Sequence, residues 1–358
     1  MGSKLYNLHY LRGIAALLVV FLHYNFVLPD YAQKYVTSGG VGVDTFFIIS
    51  GFIITYATQK KESVTEFTIK RLFRIYPLFI VVWLIASLTI YSDSSWKDLT
   101  KSLLLFHNDY NFRNAPAYGF NLMGTPWTLT YEIYFYTFFC VAIAISQKYR
   151  VAVCSVLLFI TVAAMQLIFN HSFSLSSQVS AQLYISTWWM VPVKILSTTI
   201  LFEFIIGMLM AQAFIHKKEK ISKSAMCYIV PICMIVIASV ISTISLGPVG
   251  FFGSFWVALP LFILAISLDK YECKLKSSFF NKMGNISYSL YITHFPVMIY
   301  FRQSFFEKHQ LTDMQRFVCY GVIILLCYAA ANIAHILIEK PTIKLSRKIC
   351  SHFKKNSD

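Results

Sequence analysis

Long, uninterrupted apolar runs recur along this chain, separated by short polar connections. A bilayer-spanning helix needs about 20 predominantly apolar residues, and only helices or closed barrels satisfy every backbone hydrogen bond within lipid. Because the runs are long and do not alternate with polar residues, they predict helices rather than strands. We therefore expect an all-α, polytopic membrane protein with about ten transmembrane helices. The predicted spans are residues 10–28, 40–58, 76–92, 126–146, 151–169, 188–214, 225–245, 249–268, 285–301 and 317–338.

Composition agrees with this prediction, since 57% of the 358 residues are hydrophobic and only 13% are charged. No polar block is long enough to form a second domain. Residues 1–345 are therefore expected to form one integral membrane domain, followed by a short basic cytoplasmic tail at residues 346–358. The 8 cysteines include no Cys-x-x-Cys pair, so we expect them to pack as small core residues and not as disulfides or metal ligands.

Most of the 31 Lys and Arg residues lie in alternate connections. Because cytoplasmic connections are enriched in basic residues, this pattern predicts that both termini are cytoplasmic. It also explains the net charge of +15 through contacts with anionic headgroups, so membrane lipids are expected partners and nucleic acid is not. The basic segments are residues 1–12, 59–76, 147–150, 216–223, 269–284 and 340–358.

A few ionisable side chains lie within or at the edge of the apolar runs. Such residues are costly in lipid and commonly mark functional sites. The plainer alternative is that each one only holds neighbouring helices together through hydrogen bonds, which we favour for His335. They are the acids Asp44, Glu132 and Glu203, the histidines His23, His294 and His335, and the arginines Arg12, Arg71 and Arg74.

The spacing between Arg12 and His23 places both on one helix face. Eleven residues correspond to about 16 Å along a helix axis and return to within about 20° of the starting direction. His294 is expected at the depth of His23, and the three intramembrane acids lie slightly further outward. These depths predict that several helices place polar groups around one buried cavity.

Two further stretches add to this cavity. The segment "GGVGVDTFFIISGFIIT" carries glycines that permit close helix contact, and it places Ser50 at the depth of His23. Arg71 and Arg74 are three residues apart and share a helix face at the cytoplasmic edge. Two guanidinium groups suit a phosphate or pyrophosphate, although lipid phosphates are an equally good expectation from spacing alone.

Together, several motifs resemble the acyltransferase-3 family of integral membrane acyltransferases. They follow the family's order over nearly the whole chain and are "LRGIAALLVVFLHY", "GVGVDTFFIISGF", "KRLFRIYP", "PWTLTYEIYFY", "FEFIIGMLMA", "NISYSLYITHFP" and "IEKP". The resemblance implies a ten-helix domain in the cytoplasmic (inner) membrane. It also implies transfer of a short acyl group, usually acetyl, from cytoplasmic acyl-CoA to a carbohydrate hydroxyl at the outer face.

The resemblance also implies roles for particular residues. His23 matches the family's catalytic histidine and Arg12 its partner, while Arg71 and Arg74 match the arginine pair that binds the donor. As hypotheses from chemistry, His23 acts as general base or becomes acylated, and Asp44 or Glu132 orients it.

Ser50, His294 or a backbone amide would then donate to the developing oxyanion. No metal is expected. Because many family members carry a fused extracytoplasmic domain and this chain ends soon after the last span, a separate extracytoplasmic partner protein is a further expectation.

Other interpretations of the sequence remain open. Intramembrane acids, histidines and glycines also mark transporters or flippases of anionic or sugar-linked substrates, although no repeated half is evident. A different membrane acyltransferase, acting on lipid or protein, would share the buried histidine. The aromatic and amide side chains of residues 106–127 either bind the sugar acceptor or form an interfacial belt with a folded cap.

Overall fold

The computed structural model describes residues 5–37, 39–217, 219–243, 248–273 and 277–355. Within these ranges the regular elements are helical, apart from one isolated bridge between Asn121 and Gly124, so the all-α prediction is confirmed. Residues 244 and 245 of the seventh predicted span and residues 356–358 of the predicted tail lie outside the described residues.

The helices follow one another along the chain with short connections. The first are α1 (Tyr6–His23), α2 (Asp30–Gln33), α3 (Gly39–Ala57), α4 (Val64–Thr89), α5 (Trp96–Leu103), α6 (Trp127–Ile145) and α7 (Arg150–Asn170). They continue with α8 (Val191–Leu196), α9 (Leu201–His216), α10 (Lys223–Thr243), α11 (Phe255–Lys270), α12 (Ser278–Ser304), α13 (Asp313–Ala334) and α14 (Lys340–Lys355). Short 3₁₀ turns lie at Asn25–Val27, Lys34–Val36, Trp188–Met190 and Phe306–Lys308, and a π turn joins α13 to α14 at His335–Glu339.

Each predicted span overlaps a helix or, for the sixth span, a bent pair of helices. The helix of the third predicted span, α4, begins at Val64, twelve positions before the predicted start. It begins there because Ser63 caps it by accepting a hydrogen bond from Glu66 N–H. Helix α12 likewise begins after Ser277, which accepts from Phe280 N–H. Both early turns mix polar and apolar residues, so a search for continuous apolar runs does not reveal them.

In the described part of the chain, six helical stretches are long and apolar enough to cross a bilayer. The number rises to seven if α8 and α9, bent by 53° at their break, form one span. The protein is therefore a polytopic helical membrane protein. The count of ten stays a prediction, because α1, α11 and α12 fall outside this test of length and composition.

The centre of the bundle is formed by α1, α3, α9 and α12 in close contact. A Cβ atom at Gly51 would overlap the carbonyl oxygen of Phe204, and one at Gly207 would overlap that of Ile48. Helices α3 and α9 therefore approach closely enough that only glycine fits at their crossing. Helices α4 and α6 cover one side of this centre, and α10 and α11 cover the other.

Helix α14 packs back against α4. Its Ser346 and Cys350 are buried, and the Cys350 thiol lies 3.8 Å from the carbonyl oxygen of Glu66. The expected end of the membrane domain at residue 345 falls within this helix, so the backbone shows no break there.

Candidate active site

A cavity with polar and apolar lining residues lies between α1, α3, α4, α6 and α12. At one end, which we call the arginine end, it is lined by Arg12, Arg71 and Arg74. At the other, which we call the aromatic end, it is lined by Phe46 and Tyr291. Ser50 and Glu132 also line the cavity, so five of the predicted site residues meet there.

The arginine end presents guanidinium donors that the protein leaves unused. Arg12 donates one hydrogen bond, of 2.6 Å, to the carbonyl oxygen of Gly284. The Nε atoms of Arg12 and Arg71 are buried and have no hydrogen-bond partner among the described residues. The Arg71 guanidinium lies over the rings of Phe67 and Tyr136, at 5.2 and 5.9 Å from their centroids. These groups can bind an anion such as a phosphate.

Glu132 occupies the middle of the cavity. Its carboxylate accepts a hydrogen bond of 3.2 Å from the Ser50 hydroxyl and a short one from the Tyr136 hydroxyl. The predicted convergence of Ser50 and Glu132 is therefore present. Because the Ser50 hydroxyl points to Glu132, it is not free to act as the oxyanion donor that the sequence offered.

His23 and His294 form a second polar centre beyond the aromatic end. The Nδ1 atom of His23 lies 3.1 Å from Nε2 of His294, and the ring centroids are 5.1 Å apart. In each ring Nδ1 also lies 2.9 Å from the carbonyl oxygen four residues earlier, that of Val19 or Leu290. The predicted meeting of these two histidines is therefore observed.

These contacts indicate which ring nitrogen carries the proton in neutral His23 and in neutral His294. A proton on each Nδ1 satisfies the two carbonyl oxygens and leaves Nε2 of His294 as an acceptor facing His23. The Nε2 atom of His23 then carries a free lone pair and has no partner among the described residues. His294 thus orients His23 and, with its own proton held by Leu290, does not supply the expected oxyanion donor.

Neither histidine lines the cavity. The rings of Phe46 and Tyr291, which we call the aromatic wall, line its end instead, and the Tyr291 ring centroid lies 5.7 Å from that of Phe46 and 6.0 Å from that of His294. The Tyr291 hydroxyl donates to the carbonyl oxygen of Thr125 at 2.8 Å and pairs with the Thr128 hydroxyl at 2.7 Å. Arg12 and His23, expected to face one cavity, therefore lie on opposite sides of this wall.

Asp44 does not orient His23, which corrects the expectation from sequence. Its fully buried carboxylate accepts from Gly250 N–H at 3.1 Å and from the Ser254 hydroxyl at 2.7 Å, next to α11. Six residues separate Asp44 from Ser50, which places them about 120° apart around α3. Glu203 is a buried electrostatic neighbour of Asp44, and its carboxylate accepts no hydrogen bond from the described residues.

Glu339 was missed by the sequence analysis. It is only 3% exposed, accepts from the Ser289 hydroxyl at 2.6 Å and lies 2.8 Å from Nδ1 of His335. His335 therefore connects to α12 through Glu339, in keeping with a role between helices. Glu339 lies just beyond the tenth predicted span, where a carboxylate looks like an ordinary polar flank, and only the "IEKP" motif drew attention to it.

The aromatic connection at residues 106–127 forms a packed cap. Tyr110 and Tyr118 are buried, and Asn121 binds Ser102 through both of its amide atoms. Phe112 and Phe120 are the large apolar side chains that it exposes. This arrangement matches the alternative of a folded cap better than a sugar-stacking surface.

Comparison with known proteins agrees with these features. The chain matches the family of acyltransferase domains over residues 5–332. It is 25% identical over 337 residues to the acyltransferase MdmB of Streptomyces mycarofaciens, covering 86% of this chain and 82% of that protein. It is also 25% identical over 267 residues to the exopolysaccharide production protein ExoZ of Rhizobium meliloti (strain 1021), covering 72% of this chain and 76% of that protein.

No solved structure gives a significant match to the chain. Within the described ranges, no group of three or more His, Cys, Asp or Glu side chains could hold a metal ion. The family match covers nearly all of the helical bundle and every residue of the cavity. The chain belongs to the acyltransferase-3 family, as a multi-pass membrane acyltransferase that uses an acyl donor.

Proposed function

We propose that this protein transfers a short acyl group, most readily acetyl, from acyl-CoA to a hydroxyl of a cell-surface or lipid-linked carbohydrate. One observation carries the proposal: among the described residues, unpaired guanidinium donors line one end of a cavity, and at its other end the Tyr291 ring packs against His294, the partner of His23. The similarity to MdmB supports acyl transfer, and the similarity to ExoZ supports a carbohydrate acceptor.

The arginine end suits the anionic part of the donor. The phosphate groups of acyl-CoA would bind Arg12, Arg71 and Arg74, of which Arg12 and Arg71 have Nε atoms without a partner among the described residues. The cavity then follows α3 from Ile54 to Val43, a helical distance of about 16 Å, so an extended acyl-bearing arm fits along it. Glu132 balances part of the positive charge without closing the arginine end.

His23 supplies the base. Its Nε2 accepts the proton of the acceptor hydroxyl while that oxygen forms a bond to the acyl carbon, and the carbon–sulfur bond breaks to release a thiolate. The same proton then passes from His23 to the thiolate, which balances the step. The Nδ1–H group of His23 stays between Val19 and His294, where both acceptors stabilise the transient imidazolium.

The proposed placement in the cell follows from the charge pattern. Both termini and the arginine end face the cytoplasm, the protein resides in the inner membrane, and the carbohydrate approaches from the opposite side. Residues 1–345 form the membrane acyltransferase domain and residues 346–358 its basic tail. A separate extracytoplasmic protein delivers the acceptor where one is needed.

The test uses purified protein in nanodiscs with acetyl-CoA and measures release of free CoA thiol. We expect His23→Ala to lower turnover by about a thousandfold with an unchanged melting temperature, because the base is lost. His216→Ala, which alters an exposed histidine at the end of α9, is the matched control and should retain turnover.

Near-normal turnover by correctly folded His23→Ala would remove His23 from the chemistry. Substrate uptake into proteoliposomes without any release of CoA would favour the transporter alternative. Mass spectrometry of surface glycans from a deletion strain identifies both acyl group and acceptor, since the wild-type modification is then missing.

A further inference from the structure

The wall between the cavity and the histidine pair consists of two rings that are restrained very differently. Tyr291 is buried, is held through its hydroxyl by Thr125 and Thr128, and packs against His294. Phe46 is half-buried and has no polar group to hold it. Phe46 packs against the core on one side and borders the cavity on the other, so the cavity offers its ring space for a second rotamer.

Phe46 also lies on the path that a donor would take. Ser50 and Phe46 are one helical turn apart on α3 and both line the cavity, so a group that extends from the arginine end past Ser50 next meets the Phe46 ring. Beyond that ring lie Tyr291 and then the histidine pair. Because Tyr291 is anchored, an acyl group that approaches His23 must pass beside the Tyr291 ring, through the space that the Phe46 ring now occupies.

We propose that Phe46 is a gate between the cavity and His23, and that its side chain limits the length of the acyl group that reaches His23. The inference rests on the proposed function for its substrate, and the place of Phe46 in it rests on its position in the cavity lining and its contact with Tyr291. An acetyl group needs little space beside the displaced ring. Each added methylene must share that space with the ring, so longer acyl groups are progressively excluded.

The first test compares acetyl-CoA, butyryl-CoA and hexanoyl-CoA as donors for the wild type and Phe46→Ala. We expect the ratio of kcat/KM for hexanoyl-CoA to that for acetyl-CoA to rise by about tenfold or more in the variant, because the excluded volume is gone. Ile53→Ala is the matched control, since it removes an apolar side chain from the same cavity nearer the arginine end. For Ile53→Ala, the ratio of kcat/KM for hexanoyl-CoA to that for acetyl-CoA should stay within about twofold of the wild-type value.

An unchanged ratio in folded Phe46→Ala, or an equal rise in Ile53→Ala, would overturn the proposal. A general loss of packing would enlarge the cavity in both variants, whereas a gate affects only one.

The second test needs no acyl-CoA chemistry. His23→Cys is placed in the wild-type and Phe46→Ala backgrounds, and sealed vesicles expose the side that carries Arg71 to the impermeant anion sulfonatoethyl methanethiosulfonate. Labelling at position 23 is read by peptide mass spectrometry, which separates it from the native cysteines. We expect labelling about tenfold faster when Phe46 is alanine.

Equal labelling rates would exclude a gate at Phe46. Faster labelling without any acyl-CoA turnover by the wild type would instead refute the proposed function and leave the gate in place.

Discussion

The two polar faces of α3 share one helix but have different surroundings. Ser50 faces the cavity and donates to Glu132, in a region where the Nε atoms of Arg12 and Arg71 have no partner in the described part of the chain. Asp44 faces α11, where its carboxylate holds the backbone before that helix through Gly250 and Ser254. The first face is polar and open to a ligand, whereas the second is polar and sealed.

This difference shows that an intramembrane carboxylate is defined by what it faces and not by its depth. On the sealed face, polar groups stabilise the packing of α3 against α9 and α11, so changes there should alter stability and spare the activity of each folded molecule. On the open face, changes should alter activity at constant stability. Four substitutions, from the largest expected effect to the smallest, test whether stability and activity separate in this way.

The largest effect is expected at the crossing of α3 and α9. Gly207→Ala adds a Cβ that overlaps the carbonyl oxygen of Ile48, and overpacking of this kind costs about 3 kcal/mol or more when backbone must shift. Size-exclusion chromatography and thermal unfolding should show a large loss of folded protein. The matched control is Gly321→Ala on α13, where a Cβ meets no atom within 4 Å and stability should be preserved.

The next effect is expected from Asp44→Ala. The change leaves Gly250 N–H and the Ser254 hydroxyl buried without their acceptor, which costs about 2 kcal/mol. Denaturant unfolding should show the loss, while CoA release per folded molecule stays near the wild-type value. Asp44→Asn keeps one acceptor oxygen and should lose less stability. Loss of turnover at full stability would place Asp44 in the chemistry after all.

A smaller effect, on donor binding alone, is expected from Arg71→Gln. The variant removes a guanidinium with an unpaired buried Nε from the arginine end, so the KM for acyl-CoA should rise about tenfold at similar kcat. Arg302→Gln, in an exposed ion pair with Glu307, should leave KM unchanged. Equal KM values for the two variants would argue against phosphate binding by Arg71.

The smallest effect is expected from Ser50→Ala. Glu132 loses one hydrogen bond of 3.2 Å but keeps that from Tyr136, so kcat/KM should fall about threefold, equivalent to somewhat less than 1 kcal/mol. Thr55→Val is the comparison on the same helix, since the buried Thr55 hydroxyl has no partner among the described residues. Stability should be equal or higher for Thr55→Val, and turnover unchanged.

The sequence predicted most of the helices because each span is a long apolar run that competes with no other structure. It also predicted one cavity that gathers polar groups from several helices, since rise and turn angle determine depth and face within one helix. Part of the expected set lines a common cavity, namely Arg12, Ser50, Arg71, Arg74 and Glu132, whereas His23, His294, Asp44 and Glu203 are not in its lining. The helix that the Asp44 carboxylate faces could not be predicted in the same way. Depth follows from a single helix, whereas the neighbour that a side chain faces depends on packing among several helices.

The sequence did not reveal the aromatic wall of Phe46 and Tyr291, for a related reason. Phe46 and Tyr291 lie in apolar stretches and resemble core residues until their contacts with the cavity and with His294 are seen. Glu339 was overlooked because its carboxylate follows the last apolar run, although the helix continues through it into α14. Boundaries and inter-helix contacts are thus the information that apolar patterning lacks.

The π turn at His335–Glu339 determines where α13 and α14 tolerate a change in length. A π turn accommodates one residue more than an α-helical turn, so deletion of one residue within it would leave an ordinary α-helical turn and keep α14 in phase with α13. Deletion of one residue between Lys340 and Ser346 would instead rotate the rest of α14 by about 100°, and Ser346 and Cys350 would leave the surface of α4. A one-residue deletion should therefore be better tolerated at the π turn than in the helix that follows it.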